Sequence, residues 1–290
     1  MNSRSVFVAA NRLRLHLLEW DGGGPVVLLL HGFLEHAHAW DRVAPEIARA
    51  GYRVLALDWR GHGDSEWVGR GGYYHFADYV ADLAGLARAL GGRVALVAHS
   101  MGGNAALLYA GTEPERVWAL ASIEGVGPPD SDPAVAPERF AAWVTDLERA
   151  EGRERPSMSF EQAVARLRLS YPHLQLDAVE HLAEYATKAE GEALVWKFDP
   201  LHQTRSPQPF YVRQGRAFWG RVRCPVLYVE GTESALRIDE TDVRERLAAL
   251  RARRVAIDGC GHHPHLEKPQ ALAETLVDFL GEARLGGALS

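Results

Sequence analysis

For its first 123 residues the chain alternates short apolar runs with amphipathic stretches. Val26–Leu30, Val54–Leu57, Val94–Ala98 and Val117–Ile123 are aliphatic with almost no polar interruption. That pattern predicts parallel strands covered by helices on both faces of a sheet. Val6–Ala9 and Leu13–Leu18 read as two further strands joined near Asn11, a hairpin at the sheet edge. Between the strands, Phe76–Leu90 sets Phe76, Tyr79, Val80, Leu83, Leu86, Ala87 and Leu90 at helical spacing and closes on Gly91-Gly92. Trp40–Ala50 is a second helix, ending before Gly51, and residues 101–111 a third. Strand and helix in alternation predict a mostly parallel, doubly wound α/β sheet.

The alternation breaks at Gly127-Pro-Pro-Asp-Ser-Asp-Pro133 and resumes only after Arg223. Residues 127–223 read as helical and rich in aromatic side chains, among them Trp143, Phe160, Trp196, Phe198 and Phe210. No strand is expected there, and most of those rings are expected to pack helices onto the sheet. The pattern then returns as strand Pro225–Val229, a helix near Asp239–Leu250, strand Arg254–Ile257 and helix Pro269–Leu280. The chain thus divides into an α/β core, residues 1–126 and 224–284, and an inserted helical lid, residues 127–223. The Gly-rich tail Arg284–Ser290 is read as frayed.

Composition narrows the function classes. At 290 residues, 47% hydrophobic and 24% charged, with a formal net charge of -6, the chain is an ordinary globular protein without the basic patch of a nucleic-acid binder. No apolar run reaches membrane-spanning length, and Arg4, Arg12, Arg14 and Glu19 interrupt the first stretch, so neither a membrane anchor nor a signal peptide is expected. Two cysteines, Cys224 and Cys260, rule out a disulfide framework and fit a reducing cytoplasm. The histidines gather in two separated loops, His36 with His38 and His262 with His263 and His265, without an acidic cluster beside them. Metal catalysis is therefore not expected.

The chemistry concentrates at Val94-Ala-Leu-Val-Ala-His-Ser100-Met-Gly-Gly-Asn104. An apolar strand runs straight into Ser100 and a helix starts at the next residue, the setting that exposes a hydroxyl on a sharp turn. Ala98 and Gly102, two places either side, leave the turn room, and the helix N-terminus favours negative charge beside the hydroxyl. A serine needs a base to take its proton. His262, after Gly259-Cys-Gly261 and between the last strand and helix, is the candidate, with His263 and His265 as competitors. Backbone amides would hold the developing oxyanion, one from Met101 and one from Phe33 in the loop His31-Gly-Phe-Leu34, which His31 braces. His99 and Cys260 read as structural.

His31-Gly32-Phe33, Asp58-Trp-Arg-Gly-His-Gly-Asp-Ser65, Ser100 in its turn and the Gly-x-Gly-His262 loop, in that order, resemble the α/β-hydrolase superfamily with a helical lid over nearly the whole chain. Asp58–Ser65 together with Trp196-Lys-Phe-Asp-Pro200 resembles its serine-hydrolase-like branch. Ala98 departs from the glycine usual at that place. The resemblance implies an eight-stranded sheet, no cofactor and a serine triad acting as a carboxylesterase or lipase. It also puts the acid after Pro225–Val229, where Gly231-Thr-Glu-Ser-Ala-Leu236 offers only Glu233, one or two places off. Some relatives carry it after the preceding strand, where Ser122-Ile-Glu124 stands. Glu124 is preferred as the residue that orients His262, with Glu233 the alternative. Dehalogenases and epoxide hydrolases of this fold use an aspartate nucleophile, which position 100 lacks. The expected reaction is hydrolysis of a small-molecule ester through an acyl-enzyme. Perhydrolase or carbon–carbon bond hydrolysis on the same triad, or a slow-turnover ligand-binding protein, are the alternatives.

Overall fold

In a computed structural model of the protein, residues 2–151, 155–235 and 238–287 are described. β1 (Arg4–Ala10) and β2 (Leu13–Asp21) form the antiparallel edge hairpin, turning at Asn11 and Arg12 with φ of 45° and 66°. Two consecutive left-handed residues give the turn whose twist suits a hairpin. β3 (Val26–Leu30), α1 (Ala44–Arg49), β4 (Arg53–Leu57), α2 (Phe76–Ala89), β5 (Val94–His99), α3 (Met101–Thr112) and β6 (Val117–Ile123) follow in strict alternation. The helix expected over Trp40–Ala50 is shorter. A 3-10 turn, Ala37–Trp40, precedes α1, and Pro45 sits in the first turn of α1, the one helical position it tolerates.

Between β6 and the next sheet strand the chain forms α4 (Ala136–Ala150), α5 (Phe160–Ser170), α6 (Leu176–Ala186), β7 (Thr187–Glu190), β8 (Ala193–Trp196) and α7 (Val212–Trp219). β7 and β8 correct the expectation that this stretch holds no strand: they pair antiparallel across Gly191, whose φ is 64°. Each is only four residues long, below the run that periodicity can separate from a loop. α4 also departs from expectation. None of its residues is buried, and Phe140 and Val144 remain about half exposed (50% and 46%). The chain then closes with β9 (Val226–Gly231), α8 (Glu240–Leu250), β10 (Arg253–Ile257), α9 (Pro264–Glu267) and α10 (Pro269–Leu285). Arg284 and Leu285, read as frayed, belong to α10, and residues 288–290 of the same tail lie outside the described residues.

The main sheet has eight strands in the order β1-β2-β4-β3-β5-β6-β9-β10, parallel from β4 to β10. Its two faces bury alternate residues of the inner strands. On β3, Val27 and Leu29 pack with Ala44 and Ile47 of α1 and Leu272 and Leu276 of α10. Leu28 and Leu30 pack on the other face with Tyr79 and Leu83 of α2, Ala105 of α3 and Val243 of α8. Each such leucine, fully buried, contributes about 1.5–3 kcal/mol of transfer free energy. The strand order reverses at β3, whose neighbours are β4 and β5. In a parallel sheet the crevice for a ligand opens at the carboxyl ends of the strands flanking such a reversal, which is where the loop after β3 and the turn after β5 emerge.

Candidate active site

β5 delivers Ser100 to the end of the sheet and α3 begins at the next residue. Ser100 holds φ 49° and ψ -112°, a conformation a side chain adopts only at a cost of about 1–3 kcal/mol. Its neighbours show how the turn is kept. The Ser100 N–H donates to the Ile123 carbonyl at 2.8 Å, fixing the turn to β6. A Cβ at Gly102 would sit 2.7 Å from the carbonyl oxygens of Leu30 and His31, so that position admits glycine alone. Ala98 is fully buried.

His262 reaches this hydroxyl from the loop between β10 and α9, with Nε2 3.0 Å from Ser100 Oγ and Nδ1 3.1 Å from Glu124 Oε2. A carboxylate only accepts, so Nδ1 carries the ring proton and Nε2 is left to accept from the hydroxyl. Glu124 follows β6 with φ 54°, another strained residue. Its carboxylate also accepts from the Gly231 N–H at 2.7 Å and from Ser234 Oγ at 2.8 Å. Ser234, one of two positions with Ala235 where the resemblance would put an acid, thus supports Glu124 instead. Glu233 is exposed, and its N–H is turned to the Cys260 carbonyl at 2.9 Å. The structure brings Ser100, His262 and Glu124 together and leaves Glu233 outside. A hydroxyl bonded to an imidazole whose far nitrogen faces a buried carboxylate can pass a proton to the ring.

Glu35 was not singled out in the sequence, yet it joins two of the predicted parts. Its Oε2 accepts from the Gly32 N–H at 2.7 Å, in the loop that presents Phe33, and lies 3.2 Å from His99 Nδ1. The other ring nitrogen of His99 lies 2.8 Å from the backbone carbonyl of His262. Both nitrogens face acceptors, so His99 is an imidazolium and Glu35 a carboxylate. Burial alone would raise Glu35 and lower His99, but their mutual attraction overrules it, holding Glu35 well below the usual carboxylate range and His99 above the usual imidazole range. The packing is close: a Cβ at Gly32 would meet His99 Nδ1 at 2.6 Å. His263 and His265 turn toward Glu35 rather than Ser100, and burial pushes them down to about 3 and about 4, which leaves them neutral at pH 7. The signal available in the sequence was a glutamate three residues beyond Gly32, buried only if paired.

Phe33 lines one cavity with Ser100 and His262, about 500 Å³, whose far wall is Leu167, Tyr171, Trp196 and Phe198 of the insertion. Met101 is the first residue of α3, so its N–H has no helical partner and stands beside the hydroxyl. His31 braces the loop as expected, with Nδ1 2.7 Å from the Gly32 carbonyl and Nε2 accepting from the Trp59 N–H at 3.1 Å. The Asp58–Ser65 turn and the Trp196–Pro200 stretch meet. Asp199 N–H donates to the Gly61 carbonyl (2.8 Å), its carboxylate accepts from Tyr74 Oη (2.8 Å), and the His202 ring lies tilted against that of His62 with centroids 4.0 Å apart. Asp58 is buried, and although burial alone would raise it, the bonds and charge of His16 hold it below the usual carboxylate range. Glu35 with His99 and His265, and His38 with Asp41 and His181, have spacing that could gather a metal ion; Glu35 is paired with His99 and Asp41 is shared by His38 and His181, while neither ring nitrogen of His265 has a hydrogen-bond partner among the described residues. Cys260 is fully buried and its thiol donates to the Ile257 carbonyl at 3.5 Å, a packing role. Among the described residues no helix is long and apolar enough to cross a membrane.

Residues 25–269 match the profile of a family described as alpha/beta hydrolase fold. A serine hydrolase-like protein of Danio rerio is 24% identical over 275 residues, covering 89% of this chain and 82% of the relative. Epoxide hydrolase A of Mycobacterium tuberculosis is 28% identical over 321 residues, covering 94% and 96%. Among solved structures, the thioesterase domain from the curacin biosynthetic pathway superposes with a TM-score of 0.82 at 28% identity, covering 96% of this chain and 99% of that one.

Proposed function

This chain belongs to the α/β-hydrolase-fold family and is a hydrolase, and from that premise we propose that it cleaves carboxylic esters through an acyl-enzyme on Ser100. The observation that carries the reading is the continuous chain from Ser100 Oγ through both nitrogens of His262 to Glu124, with spacings of 3.0 and 3.1 Å. Ser100 Oγ attacks the ester carbonyl carbon while its proton passes to His262 Nε2. The oxygen that gains charge is held by the N–H groups of Phe33 and Met101. Collapse breaks the bond to the alcohol oxygen, which leaves with the proton from His262. Water then attacks the acyl carbon, gives a proton to the same nitrogen, and the acid departs as Ser100 recovers its hydrogen. Glu124 keeps the ring in the right tautomer and stabilises its charged form. Residues 127–223 act as a lid, and their aromatic wall favours an apolar acyl or alcohol group. No cofactor takes part, and the two unpaired cysteines support a reducing cytoplasm.

One relative is an epoxide hydrolase by name and one structural neighbour a thioesterase, and the residue at the turn separates the two chemistries: a serine hydroxyl forms an acyl ester that water releases, whereas the epoxide branch uses an aspartate. Hydrolysis of p-nitrophenyl butyrate, with capture of Ser100 by a fluorophosphonate read by mass spectrometry, tests the proposal. Ser100→Ala is expected to lower kcat by about 10⁴-fold or more. Turnover that survives Ser100→Ala overturns it.

A further inference from the structure

Resting on that reading of Ser100, we infer that the substrate carries an anionic group, a carboxylate or phosphate away from the scissile carbonyl, which Arg166 of the lid receives. Arg166 lines the cavity that holds Ser100 and His262, and it also lines the adjoining cavity of about 510 Å³. The two share Trp196, Phe198 and Gln203, so they form one path from the surface to the hydroxyl.

Arginine side chains on helix surfaces usually answer a carboxylate three or four places away. Arg166 has none there: the positions are Gln162, Ala163, Leu169 and Ser170. Its recorded polar contact among the described residues is Nη1 on the Met158 thioether at 3.6 Å, and a thioether is a weak acceptor. The five donors of this guanidinium are arranged as a fork that suits a carboxylate or phosphate.

The surroundings have the same sign. The charged lining of the outer cavity is Arg149, Arg155, Arg166 and one carboxylate, Asp146. Asp146 is already taken, at 3.1 Å by Arg205 and at 4.0 Å by Arg149. Arg155 pairs with Glu190, yet its Nη1 is buried without a hydrogen-bond partner among the described residues. In the inner cavity the acidic residue is Glu35, which is neutralised by His99. A chain with a net charge of -6 therefore presents a cationic path to its reactive serine. Such a path concentrates anions and has no use for a neutral ester.

The test compares p-nitrophenyl hemiadipate, whose free carboxylate lies on the acyl side, with p-nitrophenyl hexanoate of equal acyl length. Hexanoyl-coenzyme A and a neutral hexanoyl thioester form the arm with phosphates on the leaving side. We expect kcat/KM to favour the anionic member of one pair by about tenfold or more. Arg166→Gln should bring that ratio close to one, Arg166→Glu should invert it, and raised salt should lower it in the native protein only. The arm that responds tells carboxylate from phosphate. Calorimetric titration with adipate and with hexanamide reads the same site without turnover. An anion preference absent from both pairs, or one that both substitutions leave unchanged, overturns the inference even where both esters are cleaved. Binding of adipate that depends on Arg166, in a protein that cleaves neither ester, instead overturns the proposed reaction and leaves the anion site standing.

Discussion

Glu124 concentrates more of the site's geometry than any other side chain. Its carboxylate meets His262 Nδ1, the Gly231 N–H and Ser234 Oγ, while its own backbone is held at φ 54° by an N–H bond to the Val229 carbonyl of 2.8 Å. Replacing it by the isosteric amide keeps the shape and, with the amide oxygen on the Gly231 N–H, turns the NH2 group toward the ring. The ring then loses both the partner for its Nδ1 proton and the charge that stabilises its protonated form. Glu124→Gln is expected to lower kcat by about 10²–10⁴-fold with Tm changed little, whereas exposed Glu233→Gln should leave both within about twofold. Steady-state kinetics on the p-nitrophenyl ester beside a thermal melt checks this, and the reverse ranking would move the acid to Glu233. The place of this acid was legible because a carboxylate at the end of an apolar strand must serve a partner. Its partners were not, because Gly231 and Ser234 come to it from more than 100 residues away, across the β6–β9 pairing.

At the scale of elements, the loop after β3, the last residue of β5 and the loop before α9 are tied by one ion pair, Glu35 with His99. The parallel strands were readable from their apolar runs, and the glycines from the turns they allow. A residue such as His99 was not, since its chemistry depends on two acceptors from distant segments. Its pH dependence follows from the directions of the shifts. His99 has a folded pKa above 6.5, so its contribution is complete below 6.5 and is lost as pH rises through the raised value. Glu35 has a folded pKa below 4.5, so its contribution is complete above 4.5 and is lost as pH falls through the lowered value. The stabilisation by the pair is therefore complete between about pH 4.5 and 6.5. Glu35→Gln removes it, so the Tm gap between native and variant should be widest between about pH 4.5 and 6.5 and should narrow on both sides. Melts across pH 3–10 measure the gap, and a gap that does not vary with pH would mean that the bond is not ionic. Because the variant leaves a single acceptor oxygen for the Gly32 N–H and the His99 ring, and removes the charge that keeps His99 protonated toward the His262 carbonyl, kcat should fall along with Tm.

For the molecule as a whole, the core and the insertion are built to different standards. β5 and β6 are buried along their entire length, and helices cover both faces of the sheet. The insertion has its own small cluster, Met158, Ala163, Val164, Val179 and Ala183, with α4 contributing no buried residue. Its polar ties to the core include Arg42–Asp177 at 3.0 Å, His181–Asp41 at 2.9 Å and Lys197–Asp64 at 2.8 Å, while its apolar ties come from Leu182 clustered with Ala39 and Leu266 and from Trp219 of α7 in the main core. Exposed pairs of this kind are worth at most about 1 kcal/mol each. This contrast accounts for what the sequence could convey: strands with two covered faces leave an unbroken apolar run, whereas segments packed on one side of a cavity leave short, mixed patterns, as β7, β8 and α4 do. It also predicts dynamics, because backbone amides open at a free energy set by the apolar contacts that must be broken. Native-state hydrogen exchange should show β3, β5 and β6 opening only with global unfolding, with α4 and α5 exchanging through local opening at a free energy several kcal/mol lower. Occupancy of the cavity changes this balance, since Leu167 and Tyr171, at the end of α5 and just beyond it, form its wall. A fluorophosphonate adduct on Ser100 that fills the cavity should slow exchange in α5 and leave α4 and the sheet as they were. Equal protection of insertion and sheet before labelling would overturn this contrast and make residues 127–223 a fixed part of the core.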